Sequence, residues 1–209
     1  MPIAVAKRVV DQLIQHGEIA PVWLGVDLQD LDPDLHDALE VPRGTTGALV
    51  TGVSKGGPAE GAGLRRSDLL TRVDGHKIRS ARDVYAIVET ASPGQEIDLE
   101  VMRSNAPQHL SARAERITDD GVIALAERIL GLALTGVDGG GFRVKSVQAK
   151  SRAEQIGFQA GDVVLGINGR PLENADALRR AVLDLQGRAR AQVVVRRGSG
   201  RYHVTVPLS

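Results

Sequence analysis

Short aliphatic runs separated by glycine-rich turns recur along most of the chain. The Val-rich segments 48–53 and 142–147 are bounded by glycines, which is typical of β-strands. Segments 68–73 and 162–167 have the same character, and each is followed by Asp-Gly or Asn-Gly. These dipeptides favour hairpin turns because both residues tolerate a positive φ. Two further strand pairs are predicted at 97–103 with 110–114 and at 192–197 with 202–208.

Elsewhere the apolar positions follow the period of an amphipathic helix. Segments 80–90 and 174–185 begin with a Ser or Asn cap and carry their apolar residues on one face, which predicts a helix in each. Segments 58–63 and 152–157 predict single helical turns that end at glycine. Residues 2–17 carry an apolar stripe and also end at a glycine, which predicts an N-terminal helix.

The two halves of the chain repeat each other at an offset of 94 residues (157 − 63 = 94). Segments 63–75 and 157–169 share the pattern Gly-Φ-x-x-x-Asp-Φ-Φ-x-x-Φ-x-Gly. At the same offset Arg103 matches Arg197, and most other matched positions exchange one aliphatic residue for another. A period of this length indicates two copies of one domain rather than the short units of a solenoid.

Composition narrows the possible functions. The 26 basic and 26 acidic residues cancel, so there is no electrostatic case for a nucleic-acid partner or an anionic membrane surface. Cysteine is absent, which excludes disulfides and thiolate chemistry. No apolar run approaches the roughly 20 residues of a membrane span, and the N-terminus lacks the basic-then-apolar pattern of a signal peptide. We therefore expect no membrane span and no export signal within the chain.

Two segments suggest bound ligands at first sight, but simpler interpretations fit them better. The acidic run 27–40 lacks the glycine at loop position six and the spacing to the closing glutamate of an EF-hand, and Asp32 followed by Pro33 is typical of a helix start. Glycines 139–141 lead into a strand rather than a helix, which favours a hairpin loop over a phosphate cradle. No serine combines a nucleophile-like motif with a supporting acid and base. We expect no metal, no cofactor and no catalysis by this chain.

The repeated motif, together with PAEGAG at 58–63 and WLGV at 23–26, resembles the PDZ domain of the bacterial HtrA (Do-like) serine proteases. Residues 4–39 also resemble the junction of that family, where the last helix of the protease domain runs into the first PDZ domain. The sequence departs from the family pattern at Ser67, where glycine is usual, and at Arg152, where proline is usual.

The resemblance implies an α+β, mainly β fold, with two tandem PDZ domains preceded by an N-terminal helix. Each domain would be a small antiparallel β-barrel or sandwich capped by two helices. The expected boundaries are 1–17 for the helix, as the tail of a protease domain, 18–117 for the first PDZ domain, 118–121 for a linker and 122–209 for the second. The family also implies a trypsin-like serine protease domain upstream, homo-oligomers formed through that domain, and a periplasmic or cell-envelope location for the parent protein.

An edge strand beside a helix can bind an extended peptide by strand addition, and turn amides at the start of that strand can hold the C-terminal carboxylate of the peptide. The carboxylate-binding turn is predicted at Trp23, Leu24, Gly25 and Val26. The remaining groove residues are predicted to be Leu28, Val84, Ile87 and Val88 in the first copy, and Leu130, Gly131, Leu132, Leu134, Leu178 and Val182 in the second.

The leading hypothesis is a peptide-binding tandem. It would capture hydrophobic C-termini or extended segments of unfolded proteins, and would regulate or deliver substrate to an HtrA-like serine endopeptidase domain. The alternative is a free-standing PDZ adaptor with no protease in cis. A third possibility, a small hydrolase, requires a nucleophile that the sequence does not show. Whether the second groove is open or blocked is left undecided by the sequence.

Overall fold

The computed structural model describes residues 21–39, 41–42 and 44–208. The helix predicted over 1–17 lies outside these residues. The described chain forms two main antiparallel β-sheets, one in each half, with short helices between the strands. None of the helices in these residues is long and apolar enough to cross a membrane.

The first half contains one main sheet and short helices. Its strands are β1 (Val22–Trp23), β2 (Val26–Asp30), β3 (Ala48–Val53), β4 (Leu69–Val73), β5 (His76–Lys77), β6 (Glu96–Arg103), β7 (Ala106–Arg113) and β8 (Glu115–Arg116). Its helices are α1 (Pro33–Ala38), α2 (Pro58–Gly61) and α3 (Ala81–Glu89). The main sheet has the order β2-β3-β4-β6-β7, with β5 paired to β4, while β1 pairs separately with β8. This order leaves β2 as an edge strand.

The second half repeats this plan. Its strands are β9 (Leu132–Gly136), β10 (Phe142–Val147), β11 (Val163–Ile167), β12 (Arg170–Pro171), β13 (Arg190–Arg197) and β14 (Gly200–Pro207). Its helices are α4 (Asp119–Leu130), α5 (Arg152–Ile156) and α6 (Ala175–Leu183). The sheet order is β9-β10-β11-β13-β14, with β12 on β11, so β9 is the counterpart of β2. The predicted tandem and its α+β, mainly β class are confirmed, although each main sheet is open rather than closed into a barrel.

Each half has its own aliphatic core, as the 2% aromatic content predicts. In the first core, Leu70, Val84 and Ile97 are fully buried between the sheet and α3. The side chain of Trp23 crosses between the halves, because it lies in β1 but packs against the core of the second half. The two cores therefore meet at the single tryptophan of the chain.

A buried ion pair explains why the repeated motif keeps its aspartate. The Asp68 carboxylate is 1% exposed and accepts two hydrogen bonds of 2.7 Å from Arg103. The same guanidinium donates to the Gly63 carbonyl at 2.8 Å, which ties the start of the motif to β6. Asp162 and Arg197 repeat the arrangement in the second half at 2.6 and 2.7 Å. Two residues that are far apart in sequence thus form one structural unit in each copy.

The segment 118–121, predicted to be a short polar linker, is helical from Asp119 onward. Thr118 caps a helix by accepting a hydrogen bond from the Gly121 amide at 3.1 Å, and α4 begins at the next residue. Acidic residues in the first helical turn are favourable because they face the positive end of the helix dipole. The two aspartates that suggested a linker are therefore the first turn of a 12-residue helix.

Candidate peptide-binding grooves

The cleft between β2 and α3, closed at one end by the turn 23–26, is here called groove 1. Its sheet wall is the outer edge of β2, where Leu28 lies opposite Val50 of β3. The amide and the carbonyl of Val50 are bonded to Asp68 and Ser67, on the side away from β2. In an antiparallel pair of this kind both residues turn their polar groups outward, so the amide and the carbonyl of Leu28 face groove 1.

The turn that closes groove 1 has the geometry of an anion-binding loop. Gly25 has φ +77°, a conformation that glycine adopts without strain. The Gly25 carbonyl accepts from the Ser54 amide and the Leu24 carbonyl accepts from the Ala59 amide, both at 2.8 Å, which holds the turn in place. Within the described chain, the amides of Leu24 and Gly25 donate to no acceptor.

A cavity of about 160 Å³ opens beside this turn. Its walls include Trp23, Leu24 and Val26 from the turn side and Val88 from α3. The second half completes it, because Arg170, Arg180 and Leu183 also line the cavity. An apolar side chain would fit against the aliphatic wall, while the surrounding charge is mainly positive.

The structure distributes the residues predicted for groove 1 between cavity wall and core. Trp23, Leu24, Gly25, Val26 and Val88 line the cavity. Val84 is fully buried in the core, whereas Leu28 and Ile87 are half-buried and pack against it. Most of the apolar face of α3 thus packs in the core, and only Val88 of these residues lines the cavity.

Tyr85 is the groove residue that the sequence analysis missed. Its hydroxyl accepts a hydrogen bond from the Leu28 amide at 3.1 Å and donates to the Val26 carbonyl at 3.3 Å. Burial, and then the nearby Asp27 carboxylate, raise the pKa of the Tyr85 hydroxyl, which therefore stays protonated and able to donate. The helical spacing between Ala81, Tyr85 and Val88 was the signal that could have placed it on the groove face.

A second hydrogen bond joins the walls of groove 1 at the end away from the turn. The Ala81 amide, at the start of α3, donates to the Asp30 carboxylate at 2.7 Å. Ser80 and Asp83 form a capping box at the same helix end. A carboxylate is favoured there by the helix dipole and by the free amides of the first turn. Hydrogen bonds consequently join the two walls of groove 1 at its middle and far end, and not beside the turn.

Groove 2 is the corresponding cleft between β9 and α6. All six residues predicted for it are buried: Leu130, Gly131, Leu132, Leu134, Leu178 and Val182. The reason is that α4 packs against both β9 and α6, and its apolar face joins their side chains in one core. Leu130 was expected in the turn that opens the strand, but it is the last residue of α4.

The turn of groove 2 is also used differently. Gly131 has φ +73°, as Gly25 does in groove 1, but it is the C-cap of α4 and its amide donates to the Glu127 carbonyl at 2.8 Å. At the position equivalent to Tyr85, α6 carries Arg179, which is 4% exposed. Its guanidinium donates to the Ile117 carbonyl at 3.2 Å, away from the edge strand.

Arg179 also binds the carboxylates of Asp119 and Asp176, so it links the start of α4 to the start of α6. A nearby ion pair between Arg116 of β8 and Asp176, at 2.7 Å, also binds the start of α6. Charged contacts at one end and apolar packing along its length hold α4 in groove 2.

Comparison with known proteins identifies both halves. Family models described as "PDZ domain" match residues 22–113 and 143–197. A probable periplasmic serine endoprotease DegP-like of Chlamydia trachomatis is 31% identical over 90% of this chain and 40% of its own length. A protein of the same description from Rhizobium meliloti is 29% identical over 100% of this chain and 45% of its own length. The chain thus spans less than half of these relatives.

Solved structures similar to the chain include the HtrA-type protease AlgW with a decapeptide. The match has 31% sequence identity and a TM-score of 0.45, and it covers 55% of this chain and 35% of the AlgW chain. Another is the HtrA3 PDZ domain bound to a phage-derived ligand, with 26% identity and a TM-score of 0.40 over 45% of this chain and 85% of that one.

Proposed function

Because the chain belongs to the PDZ family and carries two copies of the domain, we propose that groove 1 captures the hydrophobic C-termini of polypeptides. The carboxylate would be held by the amides of Leu24 and Gly25, and the last side chain would enter the adjoining cavity. The observation that carries the proposal is this pair of amides without acceptors in the described chain, beside an aliphatic wall.

Main-chain amides in such a turn bind an anion through their aligned dipoles, without needing a cationic side chain. The arginines that line the cavity add a favourable positive field. A few main-chain bonds and one buried side chain must offset the ordering of a flexible peptide. We therefore expect a Kd in the micromolar range, which corresponds to about −8 kcal/mol.

In the full-length protein, the tandem would be the regulatory part of a DegP-like serine endoprotease. It would present or tether unfolded polypeptides to a protease domain that precedes residue 1, in the periplasm, and homo-oligomers would form through that domain. The support is the descriptions of the relatives, which are periplasmic DegP-like endoproteases matched across the chain.

The proposal can be tested by calorimetric titration with hexapeptides that end in Val, Leu, Ile, Phe or Ala. Each peptide is made both as a free acid and as a C-terminal amide. We expect the acid of the best sequence to bind at least about 10-fold more tightly than its amide, since a charged hydrogen bond contributes about 1.5–3 kcal/mol. Fluorescence of Trp23, the only tryptophan, locates the binding in groove 1.

Gly25→Ala is the matched loss-of-function variant, because φ +77° strains any other residue and a Cβ there would lie 3.3 Å from Ser54 Cβ. Gly75→Ala is its control, with φ +74° and no atom within 4 Å of the added Cβ. The first variant should weaken acid binding and the second should not. Equal binding of acid and amide, or no binding by any peptide, would contradict carboxylate capture.

A further inference from the structure

We propose that Tyr85 is a latch that closes groove 1 to extended peptides, and that the second half of the chain holds the latch shut. This inference rests on the proposed function, since it concerns the regulation of the same groove. It predicts two modes of binding: a short ligand that uses only the turn and the cavity, and a longer one that must first displace a side chain.

The latch follows from the atoms that strand addition needs. A peptide strand added to β2 would offer a carbonyl to the Leu28 amide and an amide to the Val26 carbonyl. The Tyr85 hydroxyl already accepts from the Leu28 amide at 3.1 Å and donates to the Val26 carbonyl at 3.3 Å. Because one hydroxyl can replace both peptide groups, an added strand and the closed Tyr85 exclude each other.

The second half supports Tyr85 from the other side. Gly187, just beyond α6, has φ +68°, and a Cβ built on it would lie 3.0 Å from the Tyr85 ring and 3.3 Å from Arg82 Cα. The turn after α6 therefore lies directly against the ring. Arg82, on α3, donates to the Gln186 carbonyl at 3.4 Å and lies 3.7 Å from the Asp184 carboxylate. The ring is enclosed between β2 and the second half.

Displacing Tyr85 from β2 costs free energy, and this cost weakens the apparent affinity of groove 1 for extended peptides. When only a fraction of the protein is open, the apparent Kd is the intrinsic Kd divided by that fraction. Two hydrogen bonds, each with a modest net contribution, correspond to a closed state favoured about 10-fold. The weakening applies to peptides that pair with β2, and not to ligands that stop at the turn.

The test compares Tyr85→Phe with Tyr202→Phe in the full chain, using two free-acid ligands. One is the best hexapeptide, and the other is the aliphatic carboxylic acid that carries only its last side chain, such as 4-methylpentanoate for leucine, which has no peptide group to pair with β2. Tyr202, the other tyrosine, is 54% exposed and provides the control for loss of a hydroxyl. Tyr85→Phe should bind the hexapeptide about 10-fold more tightly and bind the carboxylic acid unchanged, whereas Tyr202→Phe should change neither affinity.

The outcomes separate the latch from the groove itself. If wild type and both variants bind the hexapeptide equally, the latch is overturned while carboxylate capture stands. If the carboxylic acid gains as much as the hexapeptide, Tyr85 affects the cavity rather than the edge strand, and the latch is again overturned. If neither ligand binds to any of the three proteins, both the proposed function and the latch fail.

A second pair of variants tests the role of the second half without altering groove 1. Asp184→Asn weakens the contact to Arg82, whereas Arg188→Ala removes the other arginine bound to the same carboxylate oxygen, at 2.7 Å. Asp184→Asn should tighten hexapeptide binding by about 2- to 3-fold, and Arg188→Ala should not. Unchanged affinity in Asp184→Asn would overturn the part of the second half in holding the latch.

Discussion

Groove 1 and groove 2 are built from equivalent strands and helices, yet they are closed in different ways. In groove 1 the turn amides are free of acceptors in the described chain, and one side chain, Tyr85, covers the edge strand. In groove 2 a helix packs on both walls and its last turn uses the amide of Gly131. If the proposed latch holds, groove 1 opens by the movement of one side chain, whereas in groove 2 a whole helix lies against both walls.

The motif shared by the two copies preserves the fold and not the groove. The repeated Asp and Arg hold the same bond network in both halves. The position on the facing helix is free to differ, and it is Tyr85 in one copy and Arg179 in the other. Equal folds therefore carry one groove whose edge strand is bonded to a side chain and one groove against whose walls a helix packs.

The largest effect is expected from α4. Leu125 is 2% exposed in the core that α4 shares with groove 2, so Leu125→Ala should cost about 3 kcal/mol of unfolding free energy through lost burial and a cavity. Urea denaturation measures it. Glu127→Ala, at an exposed position of the same helix, should change stability by less than about 0.5 kcal/mol. A loss below about 1 kcal/mol for Leu125→Ala, together with new peptide binding, would show that α4 leaves groove 2 readily.

A smaller loss of stability, equal in the two copies, is expected at the conserved pairs of the repeat, Asp68 with Arg103 and Asp162 with Arg197. Asp162→Asn and Asp68→Asn each weaken a buried bidentate pair and should cost about 2 kcal/mol. Asp138→Asn, at an exposed position, is the control. Differential scanning calorimetry compares the three. A loss in only one copy would mean that the motif is not equivalent in the two halves.

The same pair gives a pH dependence whose sign is set by the lowered pKa of Asp162. The hydrogen bonds from Arg197 are the main cause of that lowering. A carboxyl with a lowered folded pKa stabilises the fold above its unfolded pKa, about 3.9, and this contribution is lost as the pH falls further. The stability difference between wild type and Asp162→Asn should therefore shrink on acidification below that value. A difference that grew instead would contradict the assignment.

The smallest effect is expected at the ion pair that joins the two grooves. Asp27, beside groove 1, lies 3.0 Å from Arg128 of α4. Burial raises the pKa of Asp27 and Arg128 opposes this, so the ionised pair gives little net stabilisation. Asp27→Asn should change stability at pH 7 by less than about 1 kcal/mol.

The raised pKa also fixes the sign of the pH effect at Asp27. A carboxyl with a raised folded pKa favours the fold most at low pH, and this contribution is lost as the pH rises through the folded pKa. The unfolding free energy of wild type relative to Asp27→Asn should therefore decline as the pH rises from the unfolded to the folded pKa of Asp27. Urea denaturation at several pH values measures this difference. A rise would mean that attraction to Arg128 outweighs burial.

Much of the fold could be predicted because its signals are local. Asp74-Gly75 and Asn168-Gly169 encode hairpins through their own backbone preferences, and the Ser80 cap marks the start of α3. The α4 helix had a local signal too, in the Thr118 cap and the Gly131 terminus, but two aspartates suggested a polar linker instead. Acidic residues are common in both settings, so polarity alone could not separate them.

The sequence by itself determined that the chain holds two copies of one mainly β domain and that each presents an edge strand, a glycine turn and a facing helix. Only the tertiary structure decided what occupies each cleft. The hydrogen bonds of Tyr85 to Val26 and Leu28, and the packing of α4 against β9 and α6, join residues that no local pattern relates. Side-chain direction and long-range packing are set only when the strands and helices assemble. The reason is that an apolar residue on a strand or helix fits a core position and a groove position equally well until its tertiary neighbours are known.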